Sequence, residues 1–206
     1  LIVPIMAEAF GPNDYDDHRS KNIARDFEER ISKDEFFFMD LDRIARIYDY
    51  YVDAQEWRRA IDLMDFAIET YPTNSQLYYQ KALSLYEMGS YPRAEKAVDH
   101  SLVLNPYTRD YLYLKADILA KLSRYEEAIE LLQTCFAFAD RKEDILLHMG
   151  NVAQICQRTF ESEKFYREAL EINQNFEEAM IELAYLYEGE GRLDEGIALC
   201  KEFINE

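Results

Sequence analysis

Apolar residues in this chain recur at three- and four-residue steps, broken at regular points by glycine, serine and proline. Residues 75–108 show the pattern in full. Leu77, Tyr78, Ala82, Leu85 and Tyr86 share one side of a helix. Gly89-Ser90 interrupts it, and Pro92 stands where the first turn of a new helix accepts a proline. Ala94, Ala97, Val98, Ser101 and Leu102 then rebuild the stripe, and Asn105-Pro106 ends it. The pattern predicts a helical hairpin.

The hairpin is copied. Ala60, Ala94, Ala128, Ser162 and Gly196 follow one another at intervals of 34 residues, and all are small. Ala82, Ala116, Gly150 and Ala184 keep the same interval, as do Trp57, Tyr91, Tyr125, Thr159 and Leu193. Small residues in register beside large ones describe one supersecondary unit repeated end to end. The small positions let the paired helices approach, and the aromatic ones fill the space this opens.

The series resembles the tetratricopeptide repeat. In residues 75–108 the matching positions are Tyr78, Ala82, Leu85, Gly89, Tyr91, Ala94, Val98 and Pro106. Residues 109–142 match at Leu112, Ala116, Leu119, Tyr125, Ala128 and Leu132, with Asp140 where a proline is usual. Residues 41–74 match at Ile44, Trp57, Ala60, Met64, Ala67 and Pro72. Residues 143–176 match more loosely, at Leu146, Gly150, Ala153, Tyr166 and Ala169, with Ser162 and Thr159 replacing the usual alanine and aromatic. Residues 177–206 match at Met180, Ala184, Tyr187, Gly191 and Gly196 and form an incomplete fifth unit. The resemblance implies an all-α, right-handed α-solenoid of stacked helical hairpins. It places five repeats over 41–206 behind an N-terminal segment, 1–40.

Capping patterns add local detail. Ser123-Arg124-Tyr125-Glu126 and Asp140-Arg141-Lys142-Glu143 read as capping boxes, and Thr108 and Asn175 as N-caps. In the first forty residues, Gly11-Pro12-Asn13-Asp14 signals a turn. A helix is predicted from Asp17 to Ser32, with Ile23, Ala24, Phe27 and Ile31 on one side. Ser32-Lys33-Asp34-Glu35 predicts a second start that runs through Phe36, Phe37 and Phe38. The segment is expected to cap the first repeat, since a solenoid end otherwise leaves an apolar face wet. Self-association through the three phenylalanines is the alternative.

Charge narrows the partners. Forty-one acidic and 23 basic residues give a net charge of −18, which repels nucleic acid and anionic lipid. A basic or mixed protein or peptide is favoured; the alternative is that the acidity serves only solubility. No apolar run approaches the ~20 residues that span a bilayer, and Leu1–Met6 is too short for a secretory leader. Cys135, Cys156 and Cys200 form no CxxC pair and read as small buried hydrophobes in a reducing, cytoplasmic setting.

Chemistry is sparse. His18, His100 and His148 lie in no metal-ligand spacing, and no glycine-rich phosphate loop is present. The cluster Asp14, Asp16, Asp17 and His18 lacks the closing glutamate of a calcium loop, because Arg25 holds that place. The expectation is a non-catalytic chain with no cofactor and no metal.

The resemblance further implies that the first helix of each hairpin lines a concave, partner-binding groove. Its candidate residues are Asp49, Asp53, Tyr79, Tyr86, Tyr113, Asp117, Asn151 and Tyr185. The mapped surface carries ten carboxylates against one lysine, Lys121. Tyrosine offers broad contact with few rotors, and carboxylates beside rings suit Lys or Arg. Packing between repeats is the alternative for the tyrosines, and plain hydration for the acids. Some members clamp acidic chaperone tails with Lys, Asn and Arg; here the places hold Ala45, Asp49, Gln80, Asp110 and Leu114, which cannot. The implied function is a protein-interaction scaffold, or else an assembly module acting through its ends. Ile197, Leu199, Cys200, Phe203 and Ile204 in the last helix would forfeit about 3–9 kcal/mol if two or three stayed wet. Continuation of the chain, or a homo-oligomer through this C-terminal face, would cover them.

Overall fold

The computed structural model describes residues 12–33, 37–136 and 139–205, with side chains for 20–33, 37–136 and 139–201. Every regular element in those residues is an α-helix. They run α1 Pro12–Ser32, α2 Leu41–Asp53, α3 Trp57–Thr70, α4 Ser75–Glu87, α5 Tyr91–Leu104, α6 Arg109–Lys121, α7 Tyr125–Phe136, α8 Lys142–Ile155, α9 Thr159–Ile172, α10 Glu177–Gly189 and α11 Leu193–Asn205. The all-α class predicted from the periodicity is what the chain adopts.

Two compact units divide it, Leu1–Leu104 and Asn105–Glu206. In the first, α1 packs on α2, α2 on α3, α3 on α4 and α4 on α5. Its core joins Ala24 and Phe27 of α1 to Met39, Ile44, Ile47, Tyr51, Ala60, Leu63, Met64 and Leu77. Phe27, Phe37 and Phe66 form an aromatic cluster, with Phe37 stacked on Phe66 at 4.9 Å. In the second unit each helix also packs on the next, and α6 packs on α8 as well, so first helices lie side by side. Ala116, Leu119, Ala128, Leu132, Leu146, Met149 and Ala169 fill its core.

The turns inside the helix pairs explain part of the period. Gln55, Gly89, Ser123, Gln157 and Gly191 all have positive φ, from 55° to 73°. They recur every 34 residues, and each closes a first helix in the left-handed conformation. Glycine adopts it without strain; glutamine and serine hold it at a cost of about 1 kcal/mol.

Several local expectations are corrected. Ser123 is that left-handed residue rather than an N-cap, and its N–H donates to the Ala120 carbonyl at 2.9 Å. Arg141, not Asp140, precedes α8, and no side chain caps it. Phe176 precedes α10, while Asn175 donates its N–H to Asn173 Oδ1 at 3.2 Å. Thr108 holds the N-cap place of α6 without a side-chain bond. Side-chain caps occur instead at Asp40, which accepts from the Arg43 N–H, and Asn74, which accepts from Gln76.

Ser32 ends α1 rather than starting a helix, and residues 37–40 are not helical. The turn expected at Pro12-Asn13-Asp14 is instead the start of α1. Gly11, Leu1–Met6, Phe36 and the side chains of Phe203 and Ile204 lie outside the described residues. Ile31 is exposed, so only Ile23, Ala24 and Phe27 carry the apolar side of α1. Cys135, Cys156 and Cys200 are half-buried free thiols rather than fully buried ones. Desolvation raises the pKa of Cys135 and of Cys156.

Candidate functional site

The predicted residues fall on the first helices of both units. In the first unit, Asp49 and Asp53 stand one turn apart on α2, both exposed, and Tyr79 and Tyr86 are half-buried on α4. Tyr48 joins the two helices: its hydroxyl donates to the Gln80 carbonyl at 3.0 Å, with Ser84 Oγ 3.3 Å from it. Burial first, then the nearby Tyr79, Asp49 and Glu87, raise the Tyr48 pKa against a lowering bond from Ser84. That places Asp49, Tyr79 and Glu87 around one anchor. Desolvation first, and then the nearby Asp53, raise the Asp49 pKa. Among the described residues no cation lies within ion-pair distance of Asp49 or Asp53. Tyr86 rests against Tyr91, centroids 5.5 Å apart.

In the second unit the structure brings Tyr113 and Asp117 of α6 to His148 of α8. The Tyr113 and His148 rings stack at 4.2 Å and 9°. His148 Nε2 lies 3.1 Å from Asp117 Oδ1 and 3.3 Å from the Tyr113 carbonyl. The Tyr113 hydroxyl is buried without a hydrogen-bond partner among the described residues. Burial pushes it up to about 12, so it stays protonated. Tyr113 and His148, but not Asp117, line a depression of about 230 Å³ with Arg109, Asp110, Arg141, Asp144, Leu147, Phe176 and Glu178.

Two predicted residues part from the rest. Asn151 of α8 turns inward, where Tyr166 of α9 donates its hydroxyl to Asn151 Oδ1 at 2.7 Å, with Gln154 Oε1 3.1 Å away. Its amide is a structural acceptor. Tyr185 of α10 is exposed over 62 % of its surface, and none of the contacts of the Tyr113 cluster includes it.

Sequence reasoning missed the cations. Arg109 and Arg141 converge on Asp144, at 3.3 and 3.0 Å. Neither belongs to the predicted lining, because each sits at or just before a helix start, where the 3.6-residue period gives no face. The charge count of ten acids against one lysine therefore overstates the negative field around Asp144. His148 is not among the candidate residues; its 35-residue separation from Tyr113, one period plus one, is the signal that pairs them.

Among the described residues, no group of three or more His, Cys, Asp or Glu could hold a metal ion. No described helix is long and apolar enough to cross a membrane.

Comparison with known proteins agrees with this geometry. The family model of the anaphase-promoting complex, cyclosome, subunit 3 matches residues 53–135, about two fifths of the chain. No curated protein matches. Among solved structures, TTC0263, a thermophilic TPR protein in Thermus thermophilus, is 18% identical at a TM-score of 0.62, over 80% of this chain and 90% of that one. PilW, a type IV pilus biogenesis factor, is 17% identical at 0.62, over 79% and 75%. MamA is 18% identical at 0.57, over 82% and 95%. At these identities the likeness is one of fold. Period, helix pairing, turn conformation and fold likeness coincide: the chain has the fold of tetratricopeptide repeat proteins, an all-α solenoid type built of stacked helical hairpins.

Proposed function

We propose that the chain is a non-catalytic protein-interaction scaffold that receives a basic or mixed peptide segment on the first-helix faces of its units. The observation that carries this is the Asp49–Asp53 pair. The two carboxylates stand one turn apart on α2, the pKa of Asp49 is raised by desolvation and then by Asp53, and among the described residues neither has a cation within ion-pair distance; Tyr79 and Tyr86 stand on α4, which Tyr48 ties to α2. A lysine or arginine side chain would relieve the repulsion and stack on the tyrosines. The second unit supports the same reading through the Tyr113–His148 stack, which forms one wall of the depression lined by Asp110, Asp144 and Glu178. In this account residues 1–40 cap the first of five repeats spanning 41–206, and Asn151 acts by seating Tyr166 rather than by touching the partner.

A panel of labelled Lys/Arg-containing peptides, titrated by anisotropy against the full chain and against D49K/D53K, tests the reading. Binding to the parent chain with at least about a tenfold loss in the variant is expected, since reversal turns each attraction into repulsion. Equal affinity would remove α2 from the account. Binding should also weaken as pH falls through the raised pKa of Asp49, because its anionic form makes the contact.

A second reading, assembly through α11, draws on the exposure of Leu193 and Ile197, 57% and 53%. Light scattering tests it: a mass above the monomer that L193E/I197E lowers supports it, and a concentration-independent monomer ends it.

A further inference from the structure

Helix α4 carries two faces of opposite character. The side holding Tyr79, Leu83 and Tyr86 belongs to the face described above. The other side, Tyr78, Lys81 and Leu85, joins Arg93, Lys96, Ala97 and His100 of α5 around a depression of about 380 Å³. Helical spacing sets Arg93, Lys96 and His100 on one side of α5. Tyr78 and His100 stack at 5.4 Å and 29°, and the Tyr78 hydroxyl donates to the Pro72 carbonyl at 3.1 Å, which fixes the ring as one wall.

Three cations therefore converge in a chain of net charge −18. Lys81 is paired with Asp65 of α3. Arg93 and Lys96 are exposed and have no carboxylate partner among the described residues, although most described arginines do. Glu95 and Asp99 share α5 but lie on the neighbouring stripe and are engaged in contacts of their own. Arg93 and Lys96, three residues apart on α5, repel each other, and among the described residues no carboxylate partner offsets it. Local complementarity to an anionic partner gives the arrangement a use.

We propose that the α4–α5 depression is a docking surface for an acidic, Asp/Glu-containing segment of a partner protein. Arg93 and Lys96 supply the charge contacts, Lys81 exchanges Asp65 for a partner carboxylate, and the Tyr78–His100 stack and Leu85 form the apolar floor. An acidic peptide suits the site better than a nucleic acid. The cationic patch is only three side chains wide, so a phosphate backbone extending past it gains no further cations from the depression and is repelled by a chain of net charge −18.

The test uses the full chain and a fluorescein-labelled Glu/Ser decapeptide, with a single-stranded oligonucleotide and a Lys/Ser decapeptide as further probes. R93E/K96E reverses the two exposed charges without touching the core. R46E/K121E makes the same net change at exposed positions outside the depression. The acidic peptide is expected to bind the parent chain, to lose about tenfold in affinity in R93E/K96E, and to weaken as salt rises from low to physiological strength. R46E/K121E should keep most of the affinity, and D49K/D53K should not weaken it. The proposal is overturned if the peptide fails to bind the parent chain, if both charge variants lose equally, or if the oligonucleotide binds the depression and the peptide does not. Circular dichroism melting confirms that each variant is folded before its affinity is read.

Discussion

In the α4–α5 pair the two buried packing places hold Ala82 and Val98; in the α8–α9 pair, 68 residues on, they hold Gly150 and Tyr166. Tyr166 fits only because Gly150 lacks a side chain: a Cβ built there would overlap the tyrosine ring. The exchange has a polar consequence. Burial keeps the Tyr166 hydroxyl protonated, its pKa pushed up to about 12, and it must find an acceptor inside the pair. Asn151 supplies it. Ser162, where three of the other pairs have alanine, donates to the Gly150 carbonyl at 3.0 Å. One pair thus closes with aliphatic packing, while the other closes with a linked set of Gly150, Ser162, Tyr166 and Asn151. The departures from the repeat pattern at residues 143–176 compensate one another.

The largest effect should come from breaking that linkage. Gly150→Ala is expected to cost about 3 kcal/mol, since overpacking forces the ring to move. Adding Tyr166→Leu to it rebuilds the Ala116–Leu132 combination of the α6–α7 pair and should return most of the loss. Denaturant melts of the two single variants and the double would then show a coupling of about 2 kcal/mol; additive losses would mean that the two places are independent. Tyr166→Phe alone should cost about 1.5 kcal/mol by leaving the Asn151 and Gln154 carbonyls without their donor.

Glu163 of α9 accepts from Arg192 at 2.6 Å, from Tyr187 at 2.9 Å and from Arg167 at 3.0 Å. Chiefly through Arg192, these hold its pKa at about 2, below the usual 4.5. A folded-state value below the unfolded one means the contribution is complete above about pH 4.5 and fades as pH falls toward 2. Glu163→Gln should cost about 1 kcal/mol at neutral pH, allowing for solvent screening. The gap to the parent chain should narrow over that acid window in pH-dependent melts.

The smallest effect lies at the turns. Ser123→Gly should stabilise by about 0.5 kcal/mol by relieving the left-handed serine, whereas Gly89→Ala should destabilise by about 1 kcal/mol. Thermal melts of the two variants check the opposite signs.

What could be read in advance follows from these particulars. Helix pairing was legible because Ala82, Ala94 and their counterparts report packing by size alone. The turns were misread at Ser123, since a serine followed three residues later by a glutamate resembles a cap; the 34-residue series Gln55, Gly89, Ser123, Gln157 and Gly191 carried the correction. Phe37 could not be placed, because its partners, Phe27 and Phe66, are fixed by tertiary contact rather than by helical period. Of the candidate site, the lining faces followed from spacing. The fate of Asn151 did not, because it depends on a tyrosine 15 residues away that only the Gly150 gap admits. The arginines that neutralise Asp144 escaped for a similar reason, being at helix starts rather than along a stripe.

Reception of a cationic segment by the first-helix faces is tested most directly by backbone amide NMR of the full chain, titrated with a Lys/Ser decapeptide. Shifts concentrated at Asp49, Asp53, Tyr79 and Tyr86, with α3 and α5 unmoved, are the predicted result; shifts confined to α3 and α5, or none at saturating peptide, would contradict it.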